Sequence, residues 1–350
     1  MTFLHEPDLV RGDQRDHSAP SMPPPIGPLT AFTAAVLHDP RRQPGVVELT
    51  ALAVDTMDPL ANLDFQRALY ALHELHYRGV ASAHPDAEWH PNVVGWWHHI
   101  AGRFESALCD AAPLRLGNEL DAGDQIADLV EASDGPSLSA YVAEHASLDV
   151  LREFAIHRSL YQLKEADPHT FALPRVGGRA KAAFVEIQMD EYGNGVSGRS
   201  HAELFAETMR ALDLDPTYGR YVAHVPAVTL ATVNLITHLA LHRRLLGALL
   251  GHLALFEMTS VGPMRRYAEA MRSIGAPEEA CEFYDVHVVA DEHHGPLARV
   301  GLVDAHVAEH RDDGGLAVWG AEVTMAIEGR FSELLLDRWS HDESSLRLPA

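Results

Sequence analysis

The chain has 350 residues, with 50 acidic against 27 basic side chains and 23 histidines. That length exceeds one average domain and suffices for one large helical domain with an appendage. A formal charge of −23 argues against nucleic acid or an anionic membrane surface as partner, and otherwise speaks to solubility.

Cys109 and Cys281 stand far apart with no Cys-x-x-Cys, which indicates neither a disulfide framework nor a cysteine zinc site and fits a reducing cytoplasm. No apolar run reaches the roughly 18 to 20 residues of a membrane span, and the N-terminus lacks a basic-then-apolar leader. A cytoplasmic chain with no membrane partner is expected. Residues 1–28, ending in Ala19-Pro20-Ser21-Met22-Pro23-Pro24-Pro25-Ile26-Gly27-Pro28, read as a flexible Pro-rich arm.

Leu60 to Tyr77 reads as an amphipathic helix ended by Gly79, and Val93 to Leu108 as a second with Trp96, Ile100 and Phe104 on one side. Breaks follow at Ala111-Ala112-Pro113, from Gly117 to Gly123, and at Asp134-Gly135-Pro136. From Ser137 onward the periodicity predicts helices over 137–145, 149–165, 177–192, 200–212, 217–223, 228–259, 263–273, 277–293, 297–312 and 316–339. Strand signals and fixed-period repeats are nearly absent. The fold class is therefore all-α: a helical extension over 29–136 that could serve dimerisation, a main body over 137–342 and a tail over 343–350.

The chemistry concentrates in the helix over 277–293 and the residue that follows it. His287, Asp291 and His294 recur at i, i+4 and i+7, and at about 100° per residue they share one face. Neutral nitrogen and anionic oxygen donors together suit iron, manganese or zinc. Phe283, Tyr284 and Leu297 continue the apolar face, so the triad looks inward, where an unpaired carboxylate would be costly; His293 falls off that line. One helix cannot close a coordination shell, and bundles draw further carboxylates and histidines from other helices. Glu191 ends a helix before Gly193 and Gly195, where the macrodipole disfavours an anion. His201 opens the next helix behind Ser200 as N-cap. Glu165 closes the helix from 149. Glu257, in Leu253-Ala254-Leu255-Phe256-Glu257-Met258, interrupts a long apolar helix in which a lone charge is expensive.

The order Glu165, Glu191-Tyr192-Gly193, His201-x-x-Leu204-Phe205, His252 to Glu257-Met258-Thr259, then Phe283-Tyr284-x-x-His287-x-x-x-Asp291-x-x-His294 resembles the heme-oxygenase-like diiron oxidases and oxygenases over roughly residues 145–340. The resemblance implies a heme-oxygenase-like helical bundle. It also implies a ligand set of Glu165, Glu191, His201, His287, Asp291 and His294, with Glu257 as an additional carboxylate, holding two Fe(II) ions that use O2 as co-substrate. Members of the family oxidise amines, amino acids or fatty acids, often in natural-product pathways. An external electron donor and a homodimer belong to the same expectation. Val289 departs from the acidic residue common at its position, a difference that could tune the surroundings of the ligands.

Other arrangements read as structure. His73-Glu74-Leu75-His76 has no partner set nearby and reads as a packing or interface helix, and Trp96-Trp97-His98-His99 as a buried helix with one polar face. Gly193-x-Gly195-x-x-Gly198 follows a helix and so lacks the strand-turn-helix context of a dinucleotide site. No Gly-x-Ser-x-Gly is present. Heme is disfavoured because inward carboxylates would repel its propionates. Arg175, Arg179 and Lys181 are candidate contacts for a substrate carboxylate, though surface pairing is the commoner fate, and Tyr192 and Tyr284 neighbour the ligand set. The alternative function is a non-catalytic metal-binding or dimeric interaction protein on the same scaffold.

Overall fold

Side-chain caps mark where several of the helices start. In the computed structural model, which describes residues 18–42 and 58–347 except 116, 118–120 and 136, Asn62, Ser137, Ser147 and Ser200 each accept a backbone N–H of the first turn. Ser200 and Glu203 form a reciprocal capping box. The helices are α1 (Pro28–His38), α2 (Leu63–Glu74), α3 (Pro91–Ala111), α4 (Ala122–Glu131), α5 (Leu138–Glu144), α6 (Leu148–Gln162), α7 (Gly178–Glu191), α8 (His201–Ala211), α9 (Ala227–Leu241), α10 (Leu246–Thr259), α11 (Val261–Ser273), α12 (Glu278–Pro296) and α13 (Gly314–Ser340). Short helical turns lie between some of them, and there is no strand among the described residues. The all-α reading holds.

Two helices were not among those expected. Residues 1–17 of the Pro-rich arm lie outside the described residues, but 18–27 run along the body with Pro20 buried and its carbonyl accepting from Ala81 N at 3.0 Å. Pro28 then opens α1. The carboxylate of Asp64, from α2, takes the N–H groups of Leu29 and Thr30 at 2.8 and 3.0 Å, so this cap comes from 34 or more residues away; the local signals are Pro28 itself and Thr30, whose hydroxyl accepts from Gly27 N. Helix α4 is the second. Gly123 sits so close to the Arg299 carbonyl that a Cβ would lie 2.8 Å from it.

The helix expected over 228–259 is two. Helices α9 and α10 meet at a bend of 105°. His242 leaves helical geometry, its ring N–H reaching back to the His238 carbonyl at 2.8 Å, while Arg244 pairs with Glu105. Both helices are apolar all round, so no periodicity registers the break. No single described helix is long and apolar enough to cross a membrane; the bent pair passes that test together, but its side chains form core. Residues 217–223 form successive turns rather than a helix, with Tyr221 buried and its hydroxyl accepting from Asp215 N. Conversely, the two segments separated at 293–297 are continuous: α12 runs through Pro296 into a π-helix over 297–304, where the missing proline N–H interrupts the i→i−4 ladder.

Two apolar clusters divide the interior. One joins α1, α2, α3 and α4 to α7, α10, the π-helix and the first half of α13. The other joins α5, α6, α8, α11, the first turns of α12 and the end of α13. The 29–136 segment thus shares its core with the main body. Ser344 and Ser345 of the tail donate to the buried Glu153 carboxylate.

Helices α10 and α13 cross at two glycines. A Cβ on Gly251 would sit 1.8 Å from the Ala317 carbonyl oxygen, and one on Gly320 2.1 Å from that of Ala248. Gly320→Ala should therefore destabilise the protein by about 1–3 kcal/mol. Gly102→Ala, in a helix with open space around it, should stabilise it by up to about 1 kcal/mol. Urea unfolding of both variants checks the contrast.

Candidate metal centre

Five elements deliver the seven candidate donors to one place. Glu191 is the last residue of α7 and His201 the first of α8, as the glycine turn between them suggested. Glu257 lies in the last turn of α10, and His287, Asp291 and His294 are all buried on α12. Glu165 departs from expectation. Helix α6 stops at Gln162, and Glu165 sits in the turn that follows.

Six of the seven donors form two groups that share Glu191, and Asp291 lies beside the second. Atoms of Glu165, Glu191, His201 and His287 lie within 4.8 Å of one another, and so do atoms of Glu191, Glu257 and His294. In the first group His287 Nε2 faces Glu165 Oε2 at 3.6 Å, and the imidazole centroids of His201 and His287 are 4.1 Å apart. His201 Nδ1 and Glu191 Oε2 approach to 2.9 Å at an angle that gives neither a hydrogen bond. In the second, His294 Nδ1 is 3.3 Å from Glu257 Oε2 and 3.6 Å from Asp291 Oδ1.

The outer contacts fix which nitrogen points inward. His287 donates Nδ1–H to the Phe283 carbonyl at 2.8 Å, which leaves Nε2 for the centre. His294 donates Nε2–H to Asp190 at 2.9 Å, which leaves Nδ1. Ser260 donates to Asp291 Oδ2, so that Oδ1 faces His294. Such partners orient ligands and set their tautomers. Asp190 could not be read from spacing, since it lies one residue, and about 100° of helix, from Glu191. Ser260 follows Glu257 at i+3, and that spacing is a signal that could have found it.

The donor set fits a pair of metal ions. Glu165 Oε2, Glu191 Oε2, His201 Nδ1, Asp291 Oδ1 and His294 Nδ1 are all buried without a hydrogen-bond partner, an arrangement that native interiors avoid unless something else satisfies the atoms. Carboxylate oxygens mixed with imidazole nitrogens suit iron. Among themselves the groups balance charge with protons. Burial would lower the His287 pKa, but the Glu165 carboxylate, with Glu191 and Asp291, raises it to about 10. Burial is likewise outweighed at His294, where Asp291 and Glu257 raise the pKa to about 11. Burial and the nearby Asp291 and Glu191 push Glu257 up to about 8, whereas burial at Glu191 is outweighed by His201, which holds it down to about 2.

The centre opens onto a cavity of about 290 Å³ whose wall includes Glu165, Glu191, Glu257, His287 and Asp291. Phe154, Tyr161, Phe256 and Tyr267 make much of the rest. Arg175, Arg179 and Lys181 do not line it, and Arg175 instead donates to the Ala240 carbonyl. Its guanidinium is Arg158, held at 3.1 and 2.8 Å by Glu328. Tyr284 lines the cavity with its hydroxyl unpartnered, while Tyr192 is exposed and bonds Asp167. Val289 is 74% exposed and lines a surface groove with Asp190 and His201. The His73-to-His76 motif is packing: His73 meets Asn234 and His76 meets Glu88.

Residues 152–329, a stretch that contains all seven donors, match the family model described as iron-containing redox enzyme. The chain belongs to that family. The all-helical architecture is its heme-oxygenase-like fold. Over 150 residues it is 27% identical to a nitrosourea synthase of Streptomyces achromogenes subsp. streptozoticus, a match covering 43% of this chain and 32% of that relative.

Because His287 and His294 hold their protons to about pH 10 and 11, a metal must displace them throughout the neutral range. Iron affinity should therefore rise with pH between 6 and 8, by up to about tenfold per pH unit for each proton released. Anaerobic Fe(II) titration with an indicator dye reads both affinity and proton release. Affinity independent of pH would refute the assigned protonation.

Proposed function

We propose that the chain is a non-heme diiron oxidase or oxygenase that activates O2 against a small molecule in specialised metabolism. The observation that carries this reading is the sharing of Glu191 between two donor groups, each with imidazole nitrogen, on the wall of one cavity. A carboxylate placed in both groups is the residue that would bridge two ions. Glu165, His201 and His287 complete the first position; Glu257, Asp291 and His294 complete the second.

Two bound Fe(II) ions would together supply the two electrons that O2 activation requires. The chain's own contribution is geometry and exclusion of water. Phe283 and Asp190 hold the imidazole tautomers, and Ser260 restrains Asp291. Phe154, Tyr161, Phe256 and Tyr267 give the substrate an apolar, aromatic surface beside the donors. The free Tyr284 hydroxyl can donate a hydrogen bond to a substrate in the cavity. The likeness to a nitrosourea synthase supports a nitrogen-bearing substrate, an amine or amino acid, ahead of a fatty acid. An external electron donor and a homodimer complete the proposal.

Anaerobic Fe(II) titration followed by rapid mixing with O2 tests it. Two irons per chain are expected, with a transient visible band that appears only near that stoichiometry. Saturation at one iron or none, without a transient, would point to the non-catalytic binding scaffold instead. Glu191→Ala should weaken both positions by well over about tenfold, whereas Glu257→Ala should weaken one. Equal effects of the two substitutions would remove Glu191 from its bridging role.

A further inference from the structure

The ion pair between Lys164 and Glu74 is, among the described lysine and arginine pairs, the one sealed from water, with side chains 1% and 0% exposed. Lys164 Nζ reaches Glu74 Oε1 at 2.5 Å, and the Tyr218 hydroxyl donates to Glu74 Oε2 at 2.6 Å. The ammonium also lies 4.2 Å from the centre of the Tyr77 ring. A pair buried this way gains little over apolar residues of the same volume, because desolvation offsets its attraction. Stability therefore does not explain it.

Its position does. Lys164 immediately precedes Glu165, in the turn beyond α6. Ala166, immediately after Glu165, has φ of +71°, a left-handed conformation that a residue with a Cβ adopts only under constraint from its surroundings. The turn is held on both sides: Arg78, just after α2, donates to the Leu163 carbonyl at 3.4 Å, and Tyr192 donates to Asp167 at 2.9 Å. Glu74 is the last residue of α2, so the constraint crosses from the N-terminal segment into the donor cluster.

We propose that Glu74 and Lys164 form a clamp by which α2 positions Glu165 toward His287. This rests on the diiron reading. The clamp acts through the strained turn, and Glu74 and Lys164 are positioning residues rather than ligands.

The test is anaerobic Fe(II) titration of the full chain carrying Glu74→Leu, Lys164→Met and Tyr218→Phe together, which removes the three linked polar groups without orphaning one. The expected result is a Tm close to the parent's with about tenfold or greater loss of affinity at one of the two irons, the size seen when outer partners of ligands are removed. Parental affinity at both irons would overturn the clamp. Glu165→Ala, titrated alongside, separates the two ideas. If it loses an iron and the triple variant does not, the clamp alone is wrong; if it too binds like the parent, the site reading fails and the clamp with it. Should the triple variant not fold, Glu74→Gln and Glu74→Asp decide. Gln keeps the acceptor at full reach and should bind iron like the parent, whereas Asp withdraws it and should weaken one iron about tenfold. An Asp variant with parental affinity would overturn the proposal.

Discussion

Four carboxylates and three imidazoles converge beside one cavity, and the placement of Glu191 within reach of both donor groups is the constraint on which the arrangement of helices depends. Helix ends solve the problem of delivering such charges. At the end of α7 the macrodipole disfavours Glu191, but the same carboxylate lies against His201, the first residue of α8, where the dipole of an 11-residue helix is favourable. Glu257 occupies the last turn of α10, and Glu165 lies beyond α6 altogether. Only α12 supplies donors from its interior, and it can do so because three turns of one face turn inward between apolar neighbours.

What could be read in the sequence follows from whether the responsible interaction is local. His287, Asp291 and His294 declared themselves through helical spacing, Glu257 through its conflict with an apolar surround, and Ser200 as an N-cap. The start of α1 was missed: Pro28 and Thr30 mark it locally, but the carboxylate that caps it, Asp64, comes from another helix. The bend between α9 and α10 was hidden for the opposite reason: sequences buried on every side have no polar face whose phase could slip. The end of α6 was misplaced by three residues because the turn at Glu165 is shaped by Glu74 and Arg78, far away in the chain.

The same distinction applies to the candidate contacts for a substrate carboxylate. Arg175, Arg179 and Lys181 are close to Glu191 in sequence, but none lines the cavity: Arg175 precedes α7 and donates to the Ala240 carbonyl, and Arg179 and Lys181 sit in the first turn of α7. Arg158 comes from α6 and reaches the wall through its packing on Phe331 and Phe154. Distance along the chain is a poor guide where each wall of a cavity belongs to a different helix.

On the proposed function, the pairing of Arg158 bears on how the cavity would recognise a substrate. Both of its terminal nitrogens donate to Glu328, so the wall's guanidinium enters the cavity already matched by a carboxylate. Recognition would then fall to shape, to the aromatic faces of Phe154, Tyr161, Phe256 and Tyr267, and to polar atoms on the wall that have no partner within the protein. Besides the candidate donor atoms of Glu165, Glu191 and Asp291, those atoms are the Tyr284 hydroxyl, the Gln162 Oε1 acceptor and the Gln188 Nε2 donor. A site built this way discriminates by leaving buried polar atoms unsatisfied when the wrong molecule enters, a penalty that hydrophobic contact alone cannot impose. Most of the buried apolar wall, Phe154, Phe205, Tyr267 and Tyr284 among it, belongs to the second apolar cluster, and Leu253 of α10 brings in the first.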